Sequence, residues 1–558
     1  MNAAIYYHPE AYTTSGPKLM GRNAAGESFL RGFLLHSKAN EFWAQIQKPE
    51  HGQSFAATVS AMGRTEPVKV VNKNSLGALA QVGLIYNPGP GIGDHAYHRA
   101  LSAPSQFSNP STAWSLCGIT HTTSSAGAMD ALVQLITAPV QAWDAVICTS
   151  HAVKDNLQKL LHAQVNYLQE RLGMSKLVLP QLPVIPLGIH TQDFEYTEAQ
   201  KFQARSDLGA DADTLVVLYM GRLSFHAKAH PLAMYQALEI AAQTTGKKVL
   251  LVECGWHANE FIQKAYEQAA QFACPHVKVI TLDGRQAHNR LTAWASADVF
   301  CSLSDNIQET FGIVPIEAMA AGLPLVVSDW DGYKDTVRDG VDGFRIPTLM
   351  PDNGLGKDLA MRHALEVDTY DLYCGQTCSL VAVDVLAAAA AFSKLFNSAT
   401  LRLQMGQAGR ERARSVYDWG HVIAQYETLW QQLAHMRLAE QSTNQLAQAH
   451  AWPARMDPFL SFAAYPTQVL KAQTLLTLSD TSAATAMDRV RNYKKLNMVN
   501  YATLVIPTDE EIFSVLQVAE KGIRPAIDLV INLPQERLAF VFRSLAWLLK
   551  LGVLKLAP

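Results

Sequence analysis

Charge is scarce in this sequence. Charged residues make up 17% of it, and acids and bases nearly cancel to a formal net charge of −3; soluble domains usually carry about 25%. Such a balance supplies no long-range attraction to nucleic acid or to an anionic membrane, so neither is an expected partner. Long apolar runs are missing too. No stretch reaches the roughly 18 continuous apolar residues that a membrane-spanning helix needs. The most apolar run, Val381 to Phe392, is interrupted by Asp384 and reads as a buried alanine-rich helix. The opening Met1-Asn2-Ala3-Ala4-Ile5-Tyr6-Tyr7-His8-Pro9 lacks the basic start and apolar stretch of a secretory signal. These absences predict a cytoplasmic protein with no transmembrane segment.

Cysteine is also sparse, with seven in the chain. Cys117, Cys148, Cys254 and Cys301 lie in apolar, strand-like runs, as small buried hydrophobes do in a reducing compartment. Cys374 and Cys378 have no second Cys or His pair nearby at zinc spacing. Asp329 and Asp331 fall in a turn after a strand and are explained by the motif around them. The expectation is no metal and no cofactor.

Apolar material is plentiful: 49% of 558 residues. That is too long for one core, and it argues against disorder. Short β-branched runs alternate with longer amphipathic segments. Expected strands in the first half are Ala3–His8, Gln81–Asn87, Cys117–His121, Ala145–Ser150 and Pro183–Leu187. Expected helices there are Gly26–Ser37, Asp94–Leu101, Gly127–Ile136 and His151–Leu172. The second half repeats the alternation, with strands Thr214–Met220, Lys248–Cys254, Val277–Leu282, Asp298–Leu303 and Leu323–Ser328. Its helices are Pro231–Gln243, Ala258–Phe272, Ala287–Ser296 and Val314–Ala321. Alternation at this spacing predicts α/β architecture: two tandem Rossmann-like domains, residues 1–200 and 201–436, with a cleft between them. The hinge is expected near Leu187–Asp207. Tyr417–Leu433 is expected to close the second domain as an amphipathic helix. A Gln- and Ala-rich linker, 437–456, leads to a mostly helical, winged-helix-like unit at 457–558. That unit is only mildly basic, which favours a protein partner or an acceptor-recruiting role over nucleic acid.

The densest chemistry runs from Asp305 to Gly343. Pro315 suits a first helical turn, where its missing N–H costs nothing, and Gly322 suits the C-terminal cap. The loop Phe311-Gly312-Ile313 would then deliver backbone N–H groups at a helix start, a ready site for anions and hydroxyls. Glu309 precedes that start and Glu317 is expected in the first turn. Either glutamate alone is explained by the helix dipole. Together, around Phe-Gly and Pro, they fit two hydroxyl-rich groups flanking a phosphate. Upstream, Gly221-Arg222-Leu223-Ser224-Phe225-His226-Ala227-Lys228 directly follows a predicted strand. Arg222 and Lys228 would project from its carboxyl end, where fixed cations stabilise a departing diphosphate in the transition state.

Arg222, Lys228, Glu309 and Glu317 in this order resemble the retaining glycosyltransferases of the GT-B fold, family four, which are glycogen-synthase-like and mannosyltransferase-like. The resemblance covers about residues 1–435 and is most specific in its second half. It implies that Glu309 meets donor-sugar hydroxyls, Glu317 the nucleotide ribose, and Arg222 and Lys228 the diphosphate, without a metal. It also implies a donor-phosphate and acceptor role for the loop Gly16-Pro17 and Met20–Glu27, including Gly21 and Gly26. His121, ending a strand, resembles the family's histidine near the reacting sugar. Gly284 and Arg285 resemble lining of the nucleobase pocket. Pro186-Leu187-Gly188-Ile189-His190 resembles the hinge motif, with His190 where an acid is usual, and Ala229 follows Lys228 where Gly is common. The implied function is transfer of a hexose-type sugar from a nucleotide-diphosphate donor to an acceptor: saccharide, lipid-linked or protein. Two other readings keep the fold: a non-catalytic sugar-nucleotide-binding scaffold, and a sugar-nucleotide epimerase. Leu349–Ser379 reads as an insertion relative to the family.

Overall fold

The computed structural model describes residues 2–13, 21–441 and 452–557. Two compact units divide the chain, one ending at Trp452 and the other beginning at Pro453.

The first unit holds two parallel six-stranded sheets. Strands β1 (Ala4–Tyr7), β2 (Phe42–Ile46), β3 (Val68–Val71), β4 (Leu84–Tyr86), β5 (Ser115–Ile119) and β6 (Ala145–Ile147) pair in the order β3-β2-β1-β4-β5-β6. Strands β7 (Thr214–Met220), β8 (Lys248–Gly255), β9 (Lys278–Asp283), β10 (Val299–Ser302), β11 (Leu325–Ser328) and β12 (Gly343–Ile346) pair as β12-β11-β10-β7-β8-β9. Counted from its first strand, each sheet has the same 3-2-1-4-5-6 order, the doubly wound order of a Rossmann domain. Helices cover both faces, so strands such as β7 (TLVVLYM) are buried throughout and read as unbroken apolar runs. The expected fold class, two Rossmann-like domains in tandem, is the one observed.

In the two six-stranded sheets, three strands escaped the sequence reading: β2, β3 and β12. Each is short, and β3 carries an exposed Lys69. Pro183–Leu187, expected as a strand, makes only isolated bridges beside β6, Gln181 to Ala145 and Val184 to Cys148. Pro180, Pro183 and Pro186 remove the backbone donors that a regular ladder needs.

The helix Trp419–Gln441 corrects a second expectation. It does not close the second domain but packs back on the first. Tyr426 and Trp430 lie against Phe29, Phe33 and Tyr86, with ring centroids 5.4–6.4 Å apart. Arg437, expected in the linker, is buried near the end of this helix and donates to the Thr112 carbonyl at 2.8 Å. The expected linker at 437–456 is therefore helical to Gln441, and residues 442–451 lie outside the described ones. The chain crosses between domains twice, and the crossings pair. Ile189 N–H donates to the Tyr417 carbonyl at 2.8 Å and Trp419 N–H to the Ile189 carbonyl at 3.1 Å. The Trp419 indole is wedged between Gly32 and Gly188; a Cβ at either glycine would come within 2.5 or 2.6 Å of its ring.

The second unit has its own core, built on Leu476, Val490, Ile512, Leu516, Leu545 and Leu554. Strands β15 (Leu475–Leu478), β16 (Arg524–Pro525) and β17 (Leu554–Leu556) form an antiparallel sheet in the order β16-β15-β17. Helices Ala483–Lys494, Asp509–Ala519 and Leu538–Lys550 pack on it. Helices and a closing strand are present where they were expected. The sheet differs, because helices separate its strands in sequence and no hairpin forms a wing among the described residues. Within the first unit, a short antiparallel pair, β13 (Thr348–Leu349) with β14 (Ala382–Val383), pinches off residues 350–381 as a separate excursion.

Candidate functional site

In doubly wound sheets the ligand crevice opens at the carboxyl ends of the strands where the order reverses. In the second sheet that point lies between β7 and β10. The loop after β7 carries Arg222 and Lys228, and the loop after β10 carries Glu309. The two loops meet: Lys228 Nζ lies 2.5 Å from Glu309 Oε2. Burial alone would raise the Glu309 carboxyl. Lys228, together with the backbone N–H groups of Thr310 and Phe311, reverses this and holds it below the usual value. Arg222 sits beside the pair, donating to the Ala227 carbonyl at 2.9 Å and to Gln308 Oε1 at 3.2 Å.

Gly312 caps the helix Ile313–Ala321 with φ +80°. Only glycine fits, since a Cβ there would meet the Tyr333 ring at 2.0 Å. A glycine cap also brings no side-chain oxygen to the first helical N–H groups, which leaves that end suited to an outside acceptor. Phe311 takes part through its backbone; its side chain is buried, with Tyr417 6.2 Å away ring to ring. Glu317 lies one turn further along than expected, because the helix begins at Ile313 and its first turn holds no acid. Burial pushes its carboxyl up to about 7, partly offset by Arg290. Glu309 and Glu317 thus occupy different electrostatic settings, the first paired with Lys228 and the second dominated by burial, with the Arg290 charge a smaller influence. Arg290, missed at the sequence level, also donates to the Gly284 and Arg285 carbonyls at 2.9 and 3.1 Å. Arg285 itself is exposed and held by Asp283 at 2.9 Å. The adjoining helix pattern Ala287–Ser296 was the available sign that Arg290 faces this loop.

The first sheet presents its own strand ends to the same loops. Thr310 Oγ1 donates to the His121 carbonyl at 3.3 Å, and Thr149 Oγ1 to the Thr310 carbonyl at 3.2 Å. Ser150 Oγ donates to Asp331 at 3.2 Å and His151 N–H to Asp335 at 2.7 Å. Half-buried His121 therefore stands, through its backbone carbonyl, beside the Glu309 loop. The glycines of the N-terminal loop divide. Gly21 opens the helix Gly21–His36, while Gly26 lies inside it. A Cβ on Gly26 would come within 2.0 Å of the Ala11 carbonyl oxygen, so this glycine serves packing rather than a phosphate loop. Gly16, Pro17 and Met20 lie outside the described residues. All seven cysteines are buried and free of disulfides. Among the described residues no helix is long and apolar enough to cross a membrane.

Comparison with known proteins places the match on these loops. Residues 200–353 match the family described as glycosyl transferases group 1. Phosphatidyl-myo-inositol mannosyltransferase of Mycobacterium leprae is 34% identical over 145 residues, 25% of this chain and 29% of that protein. D-inositol 3-phosphate glycosyltransferase of Thermobispora bispora is 26% identical over 199 residues, 35% of this chain and 45% of that one. The chain thus spans less than half the length of these curated relatives. Among solved structures, Anabaena HepE in complex with UDP aligns over 79% of this chain and 100% of its own, at 16% identity and TM-score 0.48. Sucrose-phosphate synthase from Thermosynechococcus elongatus aligns over 78% and 99%, at 17% identity and TM-score 0.46. Arg222, Lys228, Glu309 and Glu317 all lie inside the segment that matches the group 1 glycosyl transferases.

Proposed function

We propose that this protein is a retaining, metal-independent glycosyltransferase that moves a hexose-type sugar from a nucleotide-diphosphate donor to an acceptor hydroxyl. The observation that carries this reading is the Lys228–Glu309 pair at the switch point of the second sheet, with Arg222 alongside. In the free protein the cation and the carboxylate satisfy each other. A donor diphosphate competes for Lys228 and frees Glu309 to accept from sugar hydroxyls. Glu317, behind the helix start and near Arg290, is assigned to the ribose.

Retention through a covalent intermediate requires a carboxylate nucleophile at the sugar. Glu309 is assigned to the sugar hydroxyls, so we favour same-face substitution. The acceptor oxygen bonds to the anomeric carbon as its bond to the β-phosphate oxygen breaks. The acceptor proton passes to a phosphate oxygen, and the nucleoside diphosphate leaves. The protein contributes orientation and fixed charge. Localisation to the cytoplasm and a protein partner for the second unit belong to the same proposal.

A thermal-shift screen against nucleotide sugars tests it, because a ligand that binds the native state raises the melting temperature. At least one nucleotide-diphosphate sugar is expected to stabilise the wild type and to be hydrolysed slowly without acceptor. Stabilisation by none of them, or conversion of the donor to an epimer, would overturn the reading.

A further inference from the structure

The excursion closed by β13 and β14 extends beyond the last residue of the family match, at 353. Its helix Tyr370–Cys378 returns to the site. The helix lies on the Arg222–Lys228 loop so closely that a Cβ on Gly375 would meet the His226 Cβ at 3.0 Å, and the Cys378 thiol points at the Phe225 carbonyl at 3.7 Å. From its first turn Tyr370 reaches both domains. Gln308 Nε2 donates to the Tyr370 hydroxyl at 3.1 Å, and that hydroxyl shares a hydrogen bond with Ser124 Oγ at 2.9 Å. Ser124 follows β5 of the first sheet; Gln308 precedes Glu309 and accepts from Arg222 at 3.2 Å. One hydroxyl therefore ties the first domain, through Gln308, to the guanidinium beside the Lys228–Glu309 pair.

We infer that Tyr370 is a positioning residue: it latches the two Rossmann domains together and, through Gln308, orients Arg222 for the donor diphosphate. This assignment rests on the proposed function for its chemical meaning, but the latch itself does not. A hydroxyl that bridges two domains holds Gln308 in one orientation only while the cleft is closed. Closure and alignment of Arg222 thus become one event. A Gln308 left without its partner can swing its amide and release the guanidinium.

Tyr370→Phe keeps the ring and removes only the bridge. In the full chain, donor turnover is expected to fall about 10-fold or more with little change in melting temperature. Ser124→Ala should act in the same direction, and the double variant should be no worse than the more impaired single one, since both cut one chain of bonds. Hydrogen exchange on the ligand-free protein supplies a readout independent of any sugar chemistry: segments 120–126 and 304–312 should exchange faster in Tyr370→Phe. Wild-type exchange in both segments overturns the latch. Faster exchange with unchanged turnover, or single effects that simply add, overturns the positioning of Arg222. A wild type that turns over no nucleotide sugar would sink the proposed function while the exchange result still decides the latch.

Discussion

Lys228 and Glu309 come from loops 81 residues apart in sequence and meet at 2.5 Å. The parallel order β10-β7 makes this possible by setting the ends of those two strands side by side. On the proposed function this pairing is a resting state, released when a donor diphosphate takes up Lys228.

Removing either partner should therefore injure turnover. Lys228→Ala is expected to lower the donor-dependent rate by about 10²–10³, the usual effect of losing one preorganised charge-stabilising donor. Glu309→Ala should do comparable damage. Donor-hydrolysis and transfer assays read both, and near-normal rates in either variant refute its assigned role.

Glu317 makes a pH-dependent claim. Its carboxyl is raised to about 7, so it is largely protonated below that pH in the free protein. An ionised carboxylate accepts ribose hydroxyls better than a protonated one. Affinity for a nucleoside diphosphate should rise as pH climbs from 6 to 8, and Glu317→Gln should flatten the rise. Calorimetric titration across that range checks it; a parallel profile in the variant removes Glu317 from the ribose site.

Glu253 lies outside the site and predicts a stability effect. It is buried on β8, accepts from the Tyr235 hydroxyl at 2.6 Å, and is raised by burial to about 7. A carboxyl whose folded pKa is raised binds more protons folded than unfolded between about pH 4.5 and 7, so stability falls as pH rises through that window. Glu253→Gln keeps an acceptor for Tyr235 and removes the charge. It should stabilise the protein at pH 8 by roughly 1–3 kcal/mol and do little at pH 5. Denaturation curves at both pH values decide the matter, and equal effects at the two would be the contrary result.

Trp419 should be the costliest single aromatic at the domain crossing. Its indole is buried between Gly32 and Gly188 and donates to Ser28 Oγ at 2.8 Å. Trp419→Ala is expected to cost about 3–5 kcal/mol. Gly188→Ala, which forces a methyl into the ring, should cost about 1–3 kcal/mol. Chemical denaturation with tryptophan fluorescence reads the second variant and circular dichroism the first.

Much of the scaffold was readable because buried parallel strands are local signals. The boundaries of β7, of helix His151–Leu172 and of helix Ala287–Ser296 fall where the apolar pattern put them. The missed strands β3 and β12 carry Lys69 and Arg345, so charged residues break their apolar runs. Pro183–Leu187 reads as strand by its β-branched residues, but missing N–H groups at Pro183 and Pro186 prevent a ladder. Gly26 looked like loop glycine because nothing in the sequence reveals the Ala11 carbonyl packed against it.

The sequence by itself determined two α/β domains, and it held Arg222, Lys228 and Glu309 on loops after buried strands and Glu317 on the helix that follows, because periodicity and residue chemistry are properties of a few neighbouring positions. Only the tertiary structure decided that Lys228 meets Glu309 while Glu317 comes within range of the Arg290 charge, that the last helix of the first unit folds back on the first domain, and that Tyr370 reaches Ser124 across 246 residues of chain. Those outcomes depend on which strand ends lie adjacent and which apolar faces remain uncovered once the sheets have formed. Such long-range pairings leave no local pattern to read.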